Sequence, residues 1–425
     1  MNDWTVNTYM PTLYRMIAII LLVFAVSNPR AHKPISSKYT YSEDVYPIFL
    51  EHCGSCHSED GVGPMSLLTY GDAYPWAQSI KEEIINLSMP PWSPEEGFGA
   101  FKHRSSLTAH ELNVLVDWSN GGTPEGLELD NVEPPVPGST WTLGDPSLVL
   151  EIPENFSIGP ATSDAIHYFV LNGGRQAKRW VTAVDVRPGN ASIVRSVQVY
   201  VDTTGRSRTL DAEDDAPGFI LDELEPEFPI DQIIGIWVAG QSAIQTDFGL
   251  AYYLPAESDL VARIHYKKTW LDEGLTVEDR TAIGMHFSDA SDLTPIKSLA
   301  VGISGVADTT LEMFVNYEQI IDESIELLSL IPEIDSSPLF VQLEAILPTG
   351  KRTPIVRLAQ PRPAWRTRHW LKKPMLLPAG TRLHVSAIYP TIFAAENMSS
   401  LGFNMDVVPK TQFNLARNNQ VLHPR

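Results

Sequence analysis

Cys53-Gly54-Ser55-Cys56-His57 holds the only two cysteines of the chain, three positions apart, with a histidine directly after the second. Thiols at that spacing suit addition across the two vinyl groups of a haem. The histidine that follows is then held beneath the iron as axial ligand, which is the pattern of covalently attached haem c. A structural zinc site needs four ligands, and no other cysteine exists to supply them. A thioredoxin-type pair belongs after a strand in a βαβ unit, and no such pattern surrounds this motif. A local disulfide would leave the histidine unexplained. One covalent haem c is therefore expected, with Cys53 and Cys56 as attachment points and His57 as proximal iron ligand. With both thiols spent, no disulfide remains, so core packing must hold everything else.

A chain of 425 residues exceeds one ordinary core, and two or three domains are expected. The net charge of −21 disfavours nucleic acid or an anionic membrane face as partner, since both require Lys/Arg patches. The clearest basic stretch, Lys351 to Lys373, is dilute and broken by prolines, and reads as a solvated strand face. At the N-terminus Arg15 precedes an apolar run from Met16 to Val26, too short to span a bilayer comfortably, and Ala25-Val26-Ser27 offers a cleavage site. Residues 1–27 read as a signal peptide, and the chain as periplasmic or otherwise exported. An uncleaved signal would be the only membrane attachment. Export agrees with haem c, which bacteria attach outside the cytoplasmic membrane.

Helical patterning fills residues 36–130. Ser42-Glu43-Asp44 reads as a helix start, with Val45, Ile48, Phe49 and His52 on one face up to the Cys-x-x-Cys-His motif. A second helix is expected from Trp76 to Leu87 with Ile80, Ile84 and Leu87 buried. Thr108 to Glu111 is a capping box opening a third helix, which stops at Gly121-Gly122. The expected fold class is a small all-α class I cytochrome c domain followed by an all-β, double jelly-roll-like sandwich. Met89, just before Pro90-Pro91, is favoured as the sixth iron ligand, with Met65 as rival. His52, His103 and His110 read as surface or capping residues.

Met65–Tyr70, Pro75–Ala77, Met89–Trp92 and Leu107-Thr108 ahead of Trp118 resemble a bacterial cytochrome c-like module. That module is commonly fused to domains related to copper type II, ascorbate-dependent monooxygenases. The resemblance implies the methionine of Met-Pro-Pro-Trp, here Met89, as distal ligand.

Glu133 to Gly138 reads as a stiff connector, giving a linker at 131–138. Beyond it, short alternating or β-branched runs recur: 147–152, 165–171, 180–186, 193–201, 260–266, 283–287, 325–331, 340–347 and 382–389. They suggest two antiparallel sandwich domains, 139–295 and 296–425. Val186–Asn190, Val199–Asp202, Ala216–Gly218, Leu260–Tyr266, Leu327–Pro332 and Leu377–Thr381 resemble the copper monooxygenase (peptidylglycine hydroxylating monooxygenase-like) family. The resemblance implies two copper sites, one with a His-His pair plus a third histidine, the other with His-x-His plus a methionine.

Those ligands are replaced. Arg195-Ser196 stands where the His-His pair is implied, and Glu333-Ile334-Asp335 where His-x-His is implied. Only His265 remains at an implied ligand position; Met398 or Met405 could stand for the methionine. A single imidazole cannot hold a copper that cycles between oxidation states, because Cu(II) favours several nitrogen donors. Copper is therefore not expected. Glu333 and Asp335 make a poor calcium site without added backbone oxygens. His167, His265 and His286 would form a substitute cluster only if their strands adjoin. The expected function is electron transfer with a periplasmic redox partner protein, the sandwich serving as docking or binding module, and no catalytic residue is named. Two alternatives stand: a haem-coupled copper monooxygenase, and a structural subunit of a periplasmic redox complex.

Overall fold

Apolar and β-branched runs, several of them buried along nearly their whole length, form the sheets that dominate the chain beyond residue 147. Among the described residues all α-helices but Arg206–Glu213 precede them. The computed structural model describes residues 36–91, 94–102, 106–127, 140–152, 156–171, 177–214, 216–221, 233–247, 249–290, 292–304, 314–390 and 400–413. The expected signal peptide and connector, with Trp92, His103 and Met398, lie outside the described residues.

One five-stranded sheet runs in the order Leu148–Glu151, Ala282–Ser288, Arg179–Arg187, Leu250–Leu254, Thr294–Pro295. A four-stranded sheet, Asp164–Val170, Asp259–Lys267, Val194–Asp202, Ile233–Val238, shares a core with it that includes Val181 and Ile283 from one sheet and Val197 and Ile264 from the other. A second pair of four-stranded sheets follows. One is Lys297–Ser304, Ser400–Pro409, Ile325–Ile334, His369–Leu377; the other is Phe314–Ile320, Arg382–Ile388, Phe340–Ile346, Arg352–Ala359. Leu327 and Phe403 meet Val341 and Val385 between them. Each such buried side chain contributes about 1.5–3 kcal/mol, which is how a chain without disulfides holds its sheets together.

The sandwiches are joined by a buried polar knot. Arg368 pairs with Asp406 at 2.9 Å, and Asp406 also accepts from Tyr252 at 3.0 Å and from Ser329. Arg368 further donates to the Ile233 carbonyl at 2.6 Å.

The expectation of a small all-α class I cytochrome c domain ahead of the sheets is corrected. The fold is mostly β-sheet, and the helices before it are few and short: Tyr46–His52, Tyr70–Ala73, Ala77–Ile85 and Ala109–Asn120, with a π-turn at Tyr41–Val45 and a 3-10 turn at Tyr74–Trp76. Gly54, Gly61, Gly63 and Pro64 break the chain after the first helix, and Pro90, Pro91, Gly97 and Gly99 after the third. The segment released between Pro94 and Lys102 is spent on the sheets. Pro94 bridges Leu358 and Phe101 bridges Leu371, with Glu95 donating to the Arg357 carbonyl and Lys102 to that of Trp370, both at 2.8 Å. The helical part is thus sewn to the second sandwich by its own backbone.

Local signals are kept in altered form. The Thr108–Glu111 capping box is present, and helix Ala109–Asn120 ends at Gly121. The first turn is capped by Thr40, not Ser42. The helix expected to reach Leu87 stops at Ile85, leaving Leu87 at φ 57° and 54 % exposed instead of buried.

Candidate functional site

The last turn of helix Tyr46–His52 continues into a tight knot that shapes the cysteine motif. Cys53 N–H donates to the Phe49 carbonyl at 2.9 Å, and the N–H groups of Cys56 and His57 both donate to the Cys53 carbonyl, at 3.0 and 2.8 Å. Gly63 then returns to the motif, its N–H donating to Cys56 at 2.8 Å. A Cβ on Gly63 would lie 2.5 Å from His57 Nδ1, so only glycine permits this return.

His57 Nδ1 lies 3.1 Å from the Met65 carbonyl oxygen. A carbonyl only accepts, so Nδ1 carries the proton and Nε2 keeps its lone pair. Burial holds the His57 pKa below the ordinary histidine range, partly opposed by the Met65 bond and reinforced by the charge of Arg195. A neutral, oriented imidazole is what metal ligation requires.

Both cysteines are free thiols. Burial raises Cys53 to about 12 and Cys56 to about 11. Redox-active pairs carry a depressed thiol pKa, and these two are the reverse.

Cys53, Cys56, His57, Met65 and Met89 all line one cavity of about 330 Å³, a size typical of pockets that take a small molecule or cofactor. Its walls include Val62, Leu67, Trp76, Ile80, Ile84 and Leu107. Met89 reaches it through the turn after helix Ala77–Ile85, where Ser88 N–H donates to the Glu83 carbonyl at 2.9 Å. Two thiols, an imidazole with a free Nε2 and a thioether, set in apolar walls, fit a covalently held haem. The Met65 carbonyl is engaged by the His57 ring, and both methionines line the cavity.

The sheets complete one side of this cavity. Arg195, Arg362 and Trp365 stand in its wall. Cys56 Sγ lies 3.3 Å from the Ala239 carbonyl oxygen, and Trp270 Nε1 donates to the Pro64 carbonyl at 3.0 Å. Gly240, at φ 87°, comes so near that a Cβ there would sit 2.6 Å from Ser55 Oγ and 2.9 Å from Cys56 Sγ. Sequence reasoning missed Ala239, Gly240, Trp270, Arg362 and Trp365. Nothing in the linear pattern marks them, because they meet the motif only through tertiary packing.

The other positions singled out in the sequence do not assemble into a metal centre. Arg195 points to the cavity, while its neighbour Ser196 is buried opposite His265 on the adjoining strand. His265 Nε2 lies 2.7 Å from Asp164, and burial keeps its pKa below the ordinary value despite that carboxylate. Glu333 is taken by Arg366, and Asp335 accepts from the Ser400 N–H at 3.0 Å. Met405 is fully buried in the core of the second sandwich.

His167 pairs with Ile264, and His265 with Ile166, so the two imidazoles lie on opposite faces of one sheet. His286 belongs to the facing sheet. His167 packs tilted against Phe156 with ring centroids 4.3 Å apart. Among the described residues the one group of three potential ligands within reach of each other is Glu51, His52 and Glu111. There His52 pairs with Glu111 at 3.2 Å, and Glu111 belongs to the capping box. His110 sits edge-on to Tyr39, with centroids 6.3 Å apart.

No protein-family model and no curated protein matches this chain. Among solved structures, PNGF-II is similar over 62 % of this chain at 8 % identity and a TM-score of 0.25, and the chain spans 64 % of its length. The tandem CBM22-1–CBM22-2 region of Paenibacillus barcinonensis Xyn10C is similar over 65 % of this chain and 99 % of that one, at 10 % identity and a TM-score of 0.16. Likeness at that level carries no argument about fold or activity, and the reading of this chain rests on its own residues.

Proposed function

We propose that this chain is an exported monohaem c-type electron-transfer protein whose β-sandwiches wall the haem and dock its partner. The single observation that carries the reading is that Cys53, Cys56, His57 and Met89 share one apolar-walled cavity. When bound, the haem would supply a one-electron iron couple. The protein's residues do the remainder. Cys53 and Cys56 would hold the group covalently, His57, its tautomer fixed by Met65, would offer Nε2 to the iron, and Met89 would offer a soft thioether that favours reduced iron. The largely apolar walls would limit the water around it. The acidic surface implied by the net charge of −21 suits a periplasmic redox partner with a basic face.

Protein matured in a host that attaches haem c should keep its haem through denaturation and acid–acetone extraction. Cys53→Ser with Cys56→Ser should lose it. Extraction of all haem from the matured chain would sink the reading. Met89→Ala should abolish the near-infrared sulfur-to-iron band of the oxidised protein; if Met65→Ala does so instead, the methionine roles are exchanged.

A further inference from the structure

We propose that Arg195 raises the reduction potential of the haem by holding a positive charge in the wall of its cavity. The inference rests on the haem reading above and adds a residue from a sheet over 130 positions away in sequence.

The strand Val194–Asp202 carries a register shift between Val194 and Ser196 where it pairs with Asp259–Lys267, and Arg195 is the extra residue. A bulge of this kind frees one residue from the ladder and re-aims its side chain. Here it sends the guanidinium out of the sheet and into the cavity wall beside Cys56 and His57. One terminal nitrogen donates to the Val62 carbonyl, and the guanidinium lies over the Trp365 ring, 5.8 Å from its centroid. Nε is buried with no hydrogen-bond partner, and among the described residues no carboxylate pairs with this group.

A guanidinium does not deprotonate in a protein, so the charge is permanent. Burying it with no carboxylate in direct contact, Asp164 and Asp272 acting only from a distance, costs stability. Its value therefore lies in its field. Adding an electron to the iron lowers the positive charge at the site, and a nearby cation favours that change. Apolar walls weaken the screening and lengthen the reach of the effect. Burial and local charge are established levers on haem potentials.

The test is a mediator-buffered spectroelectrochemical titration of the purified holoprotein beside Arg195→Gln, Arg195→Met, Arg195→Lys and Arg382→Gln. Arg382 supplies a charge control, since it sits in an exposed pair with Glu318 at 3.5 Å. At the parent midpoint, each neutral Arg195 variant should show about a tenfold lower ratio of reduced to oxidised haem, equivalent to a potential lower by about 59 mV for one electron. Arg195→Lys should stay within about threefold of the parent, and Arg382→Gln within about twofold. Arg195→Met stands in if Arg195→Gln does not fold. An unchanged ratio in a neutral variant that keeps covalent haem and its methionine band would overturn the proposal. So would an Arg195→Lys shift as large as that of Arg195→Gln, because packing rather than charge would then be responsible. Absence of covalent haem from the parent chain would instead overturn the haem reading itself.

Discussion

Arg368 and Arg195 are both largely buried arginines at boundaries between parts of the molecule, and their surroundings are opposites. Arg368, between the two sandwiches, has Asp406 at 2.9 Å, the Ile233 carbonyl at 2.6 Å and Tyr252 and Trp370 rings beneath it. Arg195, between the first sandwich and the helical part, has one carbonyl and one ring, and among the described residues no carboxylate within ion-pair distance. The first arrangement satisfies the charge and clamps two sheets. The second has carboxylates, Asp164 and Asp272, only at a distance, and turns its charge towards a cavity. A paired carboxylate is what separates the two cations.

Removing the compensation should make the first region behave like the second. Asp406→Ala strands the Arg368 charge and leaves Tyr252 and Ser329 without their acceptor, so stability should fall by about 3–5 kcal/mol. Urea denaturation monitored by tryptophan fluorescence measures it. A loss below about 1 kcal/mol would show that the sandwiches do not depend on the clamp.

A pH titration sharpens the comparison at the place where Phe101, from the segment sewn to the second sandwich, packs edge-on to His369 at 5.7 Å. Burial lowers His369 to about 4. The unfolded chain binds its proton near pH 6.5, so between pH 6.5 and 4 the unfolded state holds more protons than the folded one. Stability should therefore fall as pH drops through that window, by on the order of 3 kcal/mol from this group. His369→Phe should remove that part of the slope, and a slope unchanged in the variant would assign the pH dependence elsewhere.

The smallest effect tests the fit of sheet to motif. Gly240→Ala sets a methyl against Ser55 and Cys56 at a left-handed backbone position, costing about 1–3 kcal/mol. The variant should show a lower thermal midpoint, with the turn at Ser55 and Cys56 the part most disturbed. An unaffected midpoint would mean that the sheet does not press on the motif.

Much of the secondary structure was legible because its causes are local. All nine runs picked out by alternation or β-branching fall on strands, from Leu148–Glu151 to Arg382–Ile388. The capping box at Thr108 holds because it needs only four consecutive residues. The independent all-α domain failed for a reason that periodicity cannot see. Helical stripes mark where helices form, but not what the glycine- and proline-rich stretches between them will pair with. Pro94–Lys102 found sheet edges more than 250 residues later.

By itself, the sequence determined the chemistry of the motif. Two thiols and an imidazole within five residues are brought together by one turn whatever the surrounding fold does. Only the tertiary structure decided the environment of that motif. The bulge at Arg195, the close approach of Gly240 and the Trp365 ring are brought to it by long-range sheet packing, which depends on the whole core and leaves no local signature. Short-range geometry fixed which atoms can bond to a cofactor. Long-range packing set which charged and apolar side chains surround them.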